Sequence, residues 1–571
     1  MDAAGNLKDS LLRLEGQSYR AYKNIRGCYQ FDEFVLSIDH VLGDPFAAPS
    51  RFSVRVNLAA SQYPEALWSN QSRSTGFSTF LALRFSRQAQ CRRQRRGSGK
   101  SGFIGIDTPG QEILERTCMV IHDDHIKGRF FVGLPATGRR VRGSDAVAMI
   151  FEDMPQIISL SLFGTPEAAV EATRFADTNE DADSLRSQLK PRGLVAFVGD
   201  GSILPRRSGI EQAPLDDNTT IAFKSPFSLQ KSFCLPNRGL VSGMGVPEGI
   251  TLVVGGGFHG KSTLLQALQR GVYNHVPGDG RELVATDGSA IKVRAEDGRY
   301  ISSVNVSPFL DGLPDGSDTQ AFSTANASGS TSQAASTVEA IEVGSRLLLV
   351  DEDTCATNFM ARDHRMQQLV AASNEPIIPL IDRLRALYEQ FDLSAVLVAG
   401  SNGDFFDVAD TVIVMENYVA LDCTEQARAI AVQIPSSRRT SVNRGLHLRS
   451  WRSVRFDLFT ARKGKREIYQ RTRDRHTIQV GSQCLDLHAL EQLVESSQTR
   501  AIGMALEYCA YKHKKQSLSL ADLLAEIDEG LTRHGLDHLS TTRWADLARF
   551  RPFELAAALN RLRCLSFDMC S

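Results

Sequence analysis

Apolar and polar positions alternate in the middle of the chain with two different periods. Between residues 209 and 422, short apolar runs of strand character are separated by helical stretches such as Ser262–Gln269. The apolar runs are Thr251–Val254, Leu347–Val350, Ala395–Ala399 and Thr411–Met415. Strands that take turns with helices are typical of a parallel sheet covered by helices. The pattern therefore predicts an α/β core in this part of the chain.

The region before residue 205 has a mixed pattern. Strand-like runs at Phe52–Leu58, Arg129–Val132 and Gly193–Val198 lie among turn-rich segments, which predicts a mixed α+β region. The acidic and polar stretch Glu167–Ser184 is typical of a loop or linker. We therefore predict a first domain over residues 1–205.

The region after residue 430 shows apolar residues at helical spacing and no obvious strand run. The helical patterns lie at Leu487–Tyr511, Leu518–Arg533 and Phe553–Leu565. This predicts a mainly helical C-terminal region over 431–571, which opens with a basic segment. The α/β core is then a domain over 206–430.

Charge is balanced in total but uneven along the chain. Lys and Arg number 65 and Asp and Glu 66, and a hydrophobic share of 42% excludes neither an enzyme nor a binding module. The stretch 84–100 holds seven Lys or Arg and no acid, and the stretch 436–475 holds thirteen with three acids. Such local asymmetry points to a polyanionic or acidic partner.

Cysteine usage and the N-terminus restrict the setting. Ten cysteines occur without a C-x-x-C pair, so neither a zinc site nor a disulfide framework is predicted. The first residues, MDAAGNLKDSLLRLEG, lack the basic and apolar parts of a secretory signal. No apolar run approaches the roughly 20 residues that span a bilayer. We expect no membrane role for the chain itself and a cytoplasmic location, with an organelle as the alternative.

The segment GGGFHGKST fits the phosphate-binding pattern G-x-x-x-x-G-K-[ST]. It follows the apolar run TLVV and precedes the helical LLQAL, which is the context that this loop requires. Its backbone N–H groups surround phosphates, and the following helix directs its positive end at them. We therefore predict that ATP is bound by Gly255, Gly256, Gly257, Phe258, His259, Gly260, Lys261, Ser262 and Thr263.

Individual side chains of this loop have separate roles. Lys261 is expected to reach the β and γ phosphates and to act in catalysis, and Ser262 is expected to ligate Mg²⁺. His259 is interpreted as a loop side chain, because no metal-ligating partners are evident.

A second motif lies ninety residues beyond Lys261. The run LLLVDE places Asp351 and Glu352 at the end of an apolar strand. In P-loop enzymes the first carboxylate holds Mg²⁺ and the second can polarise the attacking water. We predict Asp351 as a metal ligand and Glu352 as the catalytic base, and hence a Mg²⁺-dependent ATPase.

The segment GSGKS at 97–101 imitates a second P-loop. Gln94 stands where the first glycine is required, and arginines precede it in place of an apolar strand. We interpret the segment as a basic loop in which Lys100 could contact a phosphate.

Several longer segments are close to those of a known family. They are GGGFHGKSTLLQALQRGVYNHVPGDGRE, RAEDGR, ASGSTSQAAS, LLLVDEDTCATNFMARD, GDFFDVADTVIVM, IDHVLGDPFAAPSR, QEILERT, RFFVGLPATGRR, GSILPRRSG and NRLRCLSF. On these segments the chain resembles the predicted ATPases of the ABC class. The resemblance covers most of the chain and implies an ABC-type ATPase core between N-terminal and C-terminal regions.

The resemblance also gives the Ser-rich stretch 315–336 a role, although its composition alone is typical of a flexible loop. ABC ATPases carry a Ser-Gly signature at the start of a helix, and Ser328 and Gly329 match it. The signature of one subunit covers the γ phosphate held by the other, so the resemblance implies a homodimer. Because the segment reads SGSTSQ, the phosphate contact could come from Ser328, Ser330 or Ser332.

Two further elements depart from the family pattern. The switch histidine is absent after the strand LSAVLVAG, where Ser401 or Asp404 could take part of its role. The strand YISSVNVS ends without the Q-loop glutamine, which leaves Ser307 as the positional candidate. These departures favour slow, switch-like hydrolysis. The candidates for adenine stacking are Phe223, Phe227 and Phe233, which precede the P-loop, although each could equally be a core residue.

The stretch 436–475 interleaves its cations with Trp451, Phe456, Phe459 and Tyr469. This mixture suits a surface that grips a nucleic-acid backbone and stacks on bases, although a solvated basic linker has the same composition. Part of the family is associated with RNA processing, so the resemblance favours RNA bound through 84–100 and 436–475.

Other functions fit the same motifs. The main alternative is an ATP-dependent switch that binds a protein partner without nucleic acid. A transporter subunit is disfavoured because long domains flank the core, and a small-molecule kinase would transfer phosphate to an acceptor other than water.

Overall fold

The structure is a computed structural model that describes most of the chain. The described residues are 2–209, 211–215, 220–370, 374–438, 440, 446, 448, 452–457, 459, 461–464, 468–514 and 516–569. They form two compact units, one of residues up to 180 together with 536–549, and one of residues 181–535 together with those from 550 onward. The domain limits at 205 and 430 stay a prediction.

The first unit is built on an antiparallel sheet. The strands are β1 (Asp2–Ala3), β2 (Gly27–Gln30), β3 (Val35–His40), β4 (Ser50–Asn57), β5 (Ile104–Gly105), β6 (Glu112–Ile113), β7 (Met119–Ile121), β8 (His125–Val132), β9 (Ala136–Thr137) and β10 (Arg140–Val141). The helices are α1 (Ala4–Arg13), α2 (Gln71–Cys91), α3 (Gly143–Ala148), α4 (Met154–Leu162) and α5 (Pro166–Ser187). The main sheet has the order β1-β2-β3-β4-β8-β5, with β7 also paired to β8. The mixed α+β character predicted for this region is confirmed.

Helix α5 corrects the prediction of a loop or linker over 167–184, which is wrong. Ala168, Ala172 and Ala176 follow one another at the four-residue spacing of a helix face and are buried. Gly76 of α2 lies so close to this helix that an added Cβ would stand 2.5 Å from the carbonyl oxygen of Phe175. Small residues let two backbones approach closely, and they leave little hydrophobic signal in the sequence.

A late segment of the chain belongs to the first unit. The backbone N–H of Thr117 donates to the carbonyl of Leu547 over 3.0 Å. Arg129 is buried and donates through Nη1 to Oδ1 of Asp537 over 2.9 Å. Residues 536–549 therefore complete a unit whose other members precede residue 181.

The second unit contains the parallel sheet that the sequence predicts. Its strands up to residue 422 are β11 (Leu194–Gly199), β12 (Gln230–Leu235), β13 (Gly239–Pro247), β14 (Ile250–Val254), β15 (Asn274–His275), β16 (Val284–Thr286), β17 (Ile291–Val293), β18 (Arg299–Val304), β19 (Phe322–Ala327), β20 (Leu347–Asp351), β21 (Ser394–Val398), β22 (Thr411–Glu416) and β23 (Val419–Asp422). The helices are α6 (Lys261–Arg270), α7 (Gly329–Glu342), α8 (Thr357–Met360), α9 (His364–Leu369), α10 (Leu384–Phe391) and α11 (Thr424–Gln433).

Six strands form the central sheet in the order β17-β20-β21-β14-β22-β23. All neighbours are parallel except β22 and β23, which form a hairpin. Strands β20 and β21 are buried along their whole length, as expected for a sheet that helices cover on both faces. The core packs residues of α7 and α10 against this sheet.

Much of the Ser-rich stretch 315–336 forms regular secondary structure, which its composition alone does not indicate. It contains β19 and the start of α7. Strand β18, which carries the sequence YISSV, pairs with β19 in a separate antiparallel sheet. Ser307 therefore does not follow a strand of the parallel sheet, and the strand beside β20 is β17.

The C-terminal part of the second unit combines helices and short strands. The helices are α12 (Ser496–Lys512), α13 (Leu520–His534) and α14 (Pro552–Asn560), and the strands are β24 (Arg452–Arg455), β25 (Gln470–Asp474), β26 (Thr477–Val480), β27 (Gln483–Asp486), β28 (Ser517–Ser519) and β29 (Ser566–Met569). A helix overlaps each of the three predicted helical patterns, the first beginning at Ser496 rather than Leu487, and the short strands of this mainly helical region were not recognised in the sequence. These strands are three to five residues long, too short to show a clear period of two.

Among the described residues, no single helix has both the length and the apolar character to cross a bilayer. One bent pair, Gly143–Leu162 with Pro166–Ser187, meets those two criteria only when its halves are taken together.

Candidate nucleotide site

The predicted P-loop connects β14 to α6 in the required order. Gly255 has a φ of 140°, and an added Cβ would lie 2.3 Å from the carbonyl oxygen of Met415. Gly260 has a φ of 98°, and an added Cβ would lie 2.8 Å from the Tyr418 ring. Both positions therefore require glycine. No side chain caps the N-terminus of α6, so its first backbone N–H groups can receive an anion.

Lys261 already lies against this loop. Its Nζ donates to the carbonyl oxygens of Gly255 over 2.6 Å and Gly256 over 2.8 Å. Ser262 is exposed at the first turn of α6. The structure thus brings the predicted lysine and hydroxyl to the same end of the helix.

His259 holds the P-loop to the β22–β23 hairpin. Its Nδ1 accepts from the backbone N–H of Asn417 over 2.8 Å, and its carbonyl accepts from Tyr418 N–H over 3.1 Å. Asn417 and Tyr418 form the turn with φ of 48° and 66°. The sequence predicted a loop residue at His259 but gave no sign of this partner, which lies 158 residues away.

Phe258 occupies the tip of the loop. Its side chain is 99% exposed and its φ is 63°, a left-handed conformation that bulky residues seldom adopt. Alternation of such residues with right-handed ones is how backbone nests turn their N–H groups toward an anion. The backbone of Phe258, rather than its ring, therefore contributes to the shape of the loop.

Asp351 ends strand β20 and is 6% exposed. Burial raises the pKa of its carboxyl, and the nearby ammonium of Lys292 acts in the opposite direction. Oxygen donors with open positions for water and phosphate are what Mg²⁺ prefers. The carboxylate of Asp351 and the hydroxyl of Ser262 fit that requirement by their chemistry.

Glu352 is held by the segment that follows β21. Its carboxylate accepts from the backbone N–H groups of Gly400 over 2.6 Å and Ser401 over 3.2 Å, and from the Ser401 hydroxyl. Asp404 instead accepts from Ser436 over 2.7 Å. Of the two residues considered for the switch histidine, the structure brings Ser401 to Glu352. The sequence missed the Gly400 amide, because backbone groups leave no residue signal.

The predicted signature lies at the start of α7, as the resemblance implies. Ser328 is the N-cap residue and accepts from Thr331 N–H over 3.4 Å. Ser330 and Ser332 are buried, and Ser332 accepts from Glu296 N–H over 2.8 Å. Ser328 is exposed and is the one of the three that a ligand can reach.

Gly329 packs against the RAEDGR segment. An added Cβ would lie 3.2 Å from the Ala295 Cβ and 3.3 Å from Oδ1 of Asp297. The signature glycine therefore contacts the turn after β17.

The three adenine candidates differ in exposure. Phe223 and Phe233 are buried core residues, whereas Phe227 is 93% exposed. The next residue, Ser228, donates to Oδ2 of Asp422 over 2.6 Å, which fixes this segment beside β23.

The basic stretch 436–475 is partly committed to internal ion pairs. Arg438 pairs with Asp382, Arg452 with Glu342, and Arg455 with Asp457 and Asp568. Phe456 is buried, so it cannot stack on a base, and Trp451 lies outside the described residues. Exposed cations of this stretch include Arg462, Lys463, Arg471 and Arg473.

The basic stretch 84–100 follows helix α2, and its GSGKS segment has no strand before it. This agrees with a basic loop rather than a second P-loop. Arg96 pairs with Asp153 over 2.6 Å. Arg87, Arg93, Arg95 and Lys100 are exposed.

Comparison with known proteins defines the class. A family model described as ABC_ATPase, P-loop domain, matches residues 137–450. The model for the N-terminal part of ATPases of the ABC class matches residues 4–165, and the MRB1590 C-terminal domain matches residues 470–568. The chain therefore belongs to the ATPases of the ABC class, and its fold is that of a P-loop ABC ATPase.

One curated relative matches part of the chain. An uncharacterized protein, MJ1628 of Methanocaldococcus jannaschii, is 30% identical over 254 residues, which are 42% of this chain and 54% of that protein. The chain thus spans about half the length of this curated relative.

Two solved structures also match part of the chain. They are cbiO1 from Clostridium perfringens, part of the ABC transporter complex cbiONQ, and the ADP conformation of MJ1267, an ATP-binding cassette of an ABC transporter. The cbiO1 structure is 13% identical and covers 43% of this chain, and the MJ1267 structure is 10% identical and covers 42% of this chain. In both cases 96% of the other chain is covered and the TM-score is 0.25.

Proposed function

We propose that this ABC-class ATPase hydrolyses ATP with Mg²⁺, that ATP closes it into a homodimer, and that it acts on RNA. The observation that carries the proposal is the contact of Glu352 with Gly400 and Ser401. It fixes a carboxylate one residue beyond the predicted metal ligand Asp351. A carboxylate fixed there can take a proton from a water that attacks the γ phosphate.

The reaction follows from these positions. The P-loop amides and Lys261 hold the phosphates, and Ser262 and Asp351 would hold the metal ion, which supplies positive charge to the phosphate oxygens. Glu352 accepts a proton from a water molecule while the oxygen of that water bonds to the γ phosphorus. The bond between that phosphorus and the β–γ bridging oxygen breaks, and ADP and phosphate leave.

The dimer proposal rests on the signature. Ser328 and the first backbone N–H groups of α7, of which that of Thr331 already donates to Ser328, offer an anion site, while Gly329 faces Ala295 and Asp297. A second copy that lays its signature over the bound γ phosphate would complete the site, and hydrolysis would reopen it.

We assign adenine stacking to Phe227, because its ring is free of the core. Phe227→Ala is expected to weaken ATP binding by roughly tenfold, in line with the roughly 1–3 kcal/mol that stacking on an aromatic ring contributes. Phe227→Trp should keep the affinity. Titration calorimetry with ATP measures both.

The matched control is Leu240→Ala, which truncates another exposed apolar side chain, on the neighbouring strand β13. Equal losses for Phe227→Ala and Leu240→Ala would show that Phe227 does not stack on the base.

The RNA proposal is supported by exposed cations in both basic stretches. In the first, Arg93, Arg95, Lys100 and Phe103 line one open cavity of about 630 Å³. A groove with several cations and an aromatic ring suits a single strand, because phosphates meet the charges and a base meets the ring.

The test exchanges charge in this cavity. Arg95→Glu with Lys100→Glu is expected to weaken binding of single-stranded RNA by at least tenfold. The slope of the logarithm of the binding constant against the logarithm of the salt concentration is negative. It should become shallower by about 0.7 for each phosphate that the variant no longer binds. Fluorescence anisotropy at several salt concentrations gives both numbers.

The control is Lys8→Glu with Arg13→Glu on helix α1, where both cations are exposed. It changes the net charge equally. If both double variants bind equally weakly, the cavity is not the site. If the wild-type protein fails to bind RNA at low salt, the RNA proposal is wrong.

A second candidate function has its own support. Arg438, Arg452 and Arg455 are neutralised internally and Phe456 is buried, which removes part of the surface expected for RNA. An ATP-dependent switch that docks a protein partner needs no such surface. ATP turnover that is indifferent to RNA would favour this function.

A further inference from the structure

Glu491 and Gln492 attach the C-terminal part of the second unit to the P-loop helix. The side chain of Gln269 on α6 donates to the Glu491 carbonyl over 3.0 Å. The Gln492 amide donates to the carbonyls of Gln269 over 3.3 Å and Ala290 over 3.1 Å. Gln492 is 5% exposed. The backbone at Glu491 is therefore fixed relative to the helix that begins with Lys261.

The same two residues reach strand β17. The backbone N–H of Lys292 donates to Oε1 of Gln492 over 3.1 Å. The carboxylate of Glu491 accepts from Lys292 Nζ over 2.9 Å and from Arg294 Nη1 over 3.0 Å. The Lys292 side chain is 5% exposed and that of Arg294 is 36% exposed. One carboxylate thus balances two cations, of which Lys292 is the buried one.

Lys292 lies on the same side of the sheet as Asp351. Strands β17 and β20 are parallel neighbours in which Lys292 pairs with Leu349. Leu349 is two residues before Asp351, and residues two apart in a strand face the same side. With a strand spacing of about 4.8 Å and a rise of about 3.3 Å per residue, the two Cα atoms are roughly 8 Å apart. The lysine side chain can span most of that distance.

We propose that Glu491 is a positioning residue for the metal site and acts through Lys292. By pairing with the lysine, Glu491 keeps a buried positive charge from pairing with Asp351 and from repelling a divalent cation there. Glu491 lies within the stretch matched by the MRB1590 C-terminal domain model, so this domain tunes the ATPase centre. The inference rests on the Mg²⁺-dependent part of the proposed function and is independent of RNA.

The test measures how ATP binding depends on Mg²⁺. Fluorescent ATP is titrated into the full chain at fixed concentrations of Mg²⁺, and again in EDTA. In Glu491→Gln, the Mg²⁺ concentration for half-maximal enhancement is expected to rise about tenfold, because an uncompensated charge at this distance opposes the ion. Binding in EDTA should stay as in the wild type. In Lys292→Met with Glu491→Gln, the Mg²⁺ midpoint should return to within about twofold.

The control is Arg294→Met, which removes the other, more exposed cation from Glu491. It should leave the Mg²⁺ midpoint unchanged. An unchanged Mg²⁺ midpoint in Glu491→Gln would overturn the inference. So would a Mg²⁺ midpoint that stays raised in Lys292→Met with Glu491→Gln, or a loss of ATP binding by Glu491→Gln in EDTA. If ATP binding by the wild-type protein does not depend on Mg²⁺, both the inference and the Mg²⁺ part of the proposed function are wrong. The wild-type titration alone shows that outcome, so it is distinguished from a failure of the inference only.

Discussion

Glu352→Gln is expected to lower ATP turnover by roughly a hundredfold or more, the size of effect that a positioned general base supplies. The amide keeps the shape of the side chain and can still accept from Gly400 and Ser401. It cannot take the proton from the attacking water. Binding should therefore persist while hydrolysis stops, and the ATP-bound protein should accumulate as a dimer.

Phosphate release measures the turnover, and mass photometry with and without ATP measures the dimer. Asp353→Asn is the matched control, since it neutralises an exposed carboxylate one residue further on and should leave turnover unchanged. Ser401→Ala removes one of the donors to Glu352 and should reduce turnover less than Glu352→Gln does. Wild-type turnover in Glu352→Gln would remove Glu352 from the mechanism.

Arg452→Met is expected to destabilise the second unit by about 3–5 kcal/mol, the cost of leaving one partner of a buried ion pair alone. Arg452 and Glu342 are 2% and 9% exposed. Nε of Arg452 donates to Oε2 of Glu342 over 3.0 Å, and its Nη1 donates to the carbonyl of Ser302 over 3.0 Å. Glu342 ends helix α7, so the loss is expected to loosen the helix that presents Ser328.

Urea unfolding followed by circular dichroism measures the change. Arg455→Met, three residues later, breaks pairs whose side chains are 33–54% exposed and should cost far less stability, because solvent screens exposed ion pairs. Arg452→Met with Glu342→Leu should recover much of the loss, since the buried charge goes with its partner. Equal losses for the two arginine variants would contradict the burial argument.

The positions of the loop and strands of the predicted nucleotide site could be read from the sequence, because they depend on residue types at fixed spacing. Gly255, Gly260 and Lys261 lie where the loop pattern places them, and the strand runs of the parallel sheet were long enough to recognise. Ser307 was misplaced because its strand pairs in another sheet, and strand partners depend on the fold. Helix α5 was missed because much of its buried face is alanine, which leaves little hydrophobic signal in the sequence.

Long-range polar contacts were beyond the reach of the sequence. His259 accepts a hydrogen bond from Asn417, and Glu352 accepts one from Gly400. Lys292 donates to Glu491, which is 199 residues away in the sequence. Nothing in the residue type of a lone His, Glu or Lys identifies a partner at such a separation. The basic stretch 436–475 shows the same limit for charge, since the sequence does not reveal that Arg438 pairs with Asp382 and Arg452 with Glu342.

Because residues 536–549 belong to the first unit, they determine which fragments of this protein can fold on their own. A fragment that stops near residue 205 would keep Arg129 and Thr117 but lose Asp537 and Leu547, their partners within the same unit. Arg129, which is 4% exposed in the complete unit, would lose the carboxylate that balances its charge. The N-terminal region is therefore not a detachable module, and recombination or truncation near residue 205 would yield a fragment with an incomplete interior.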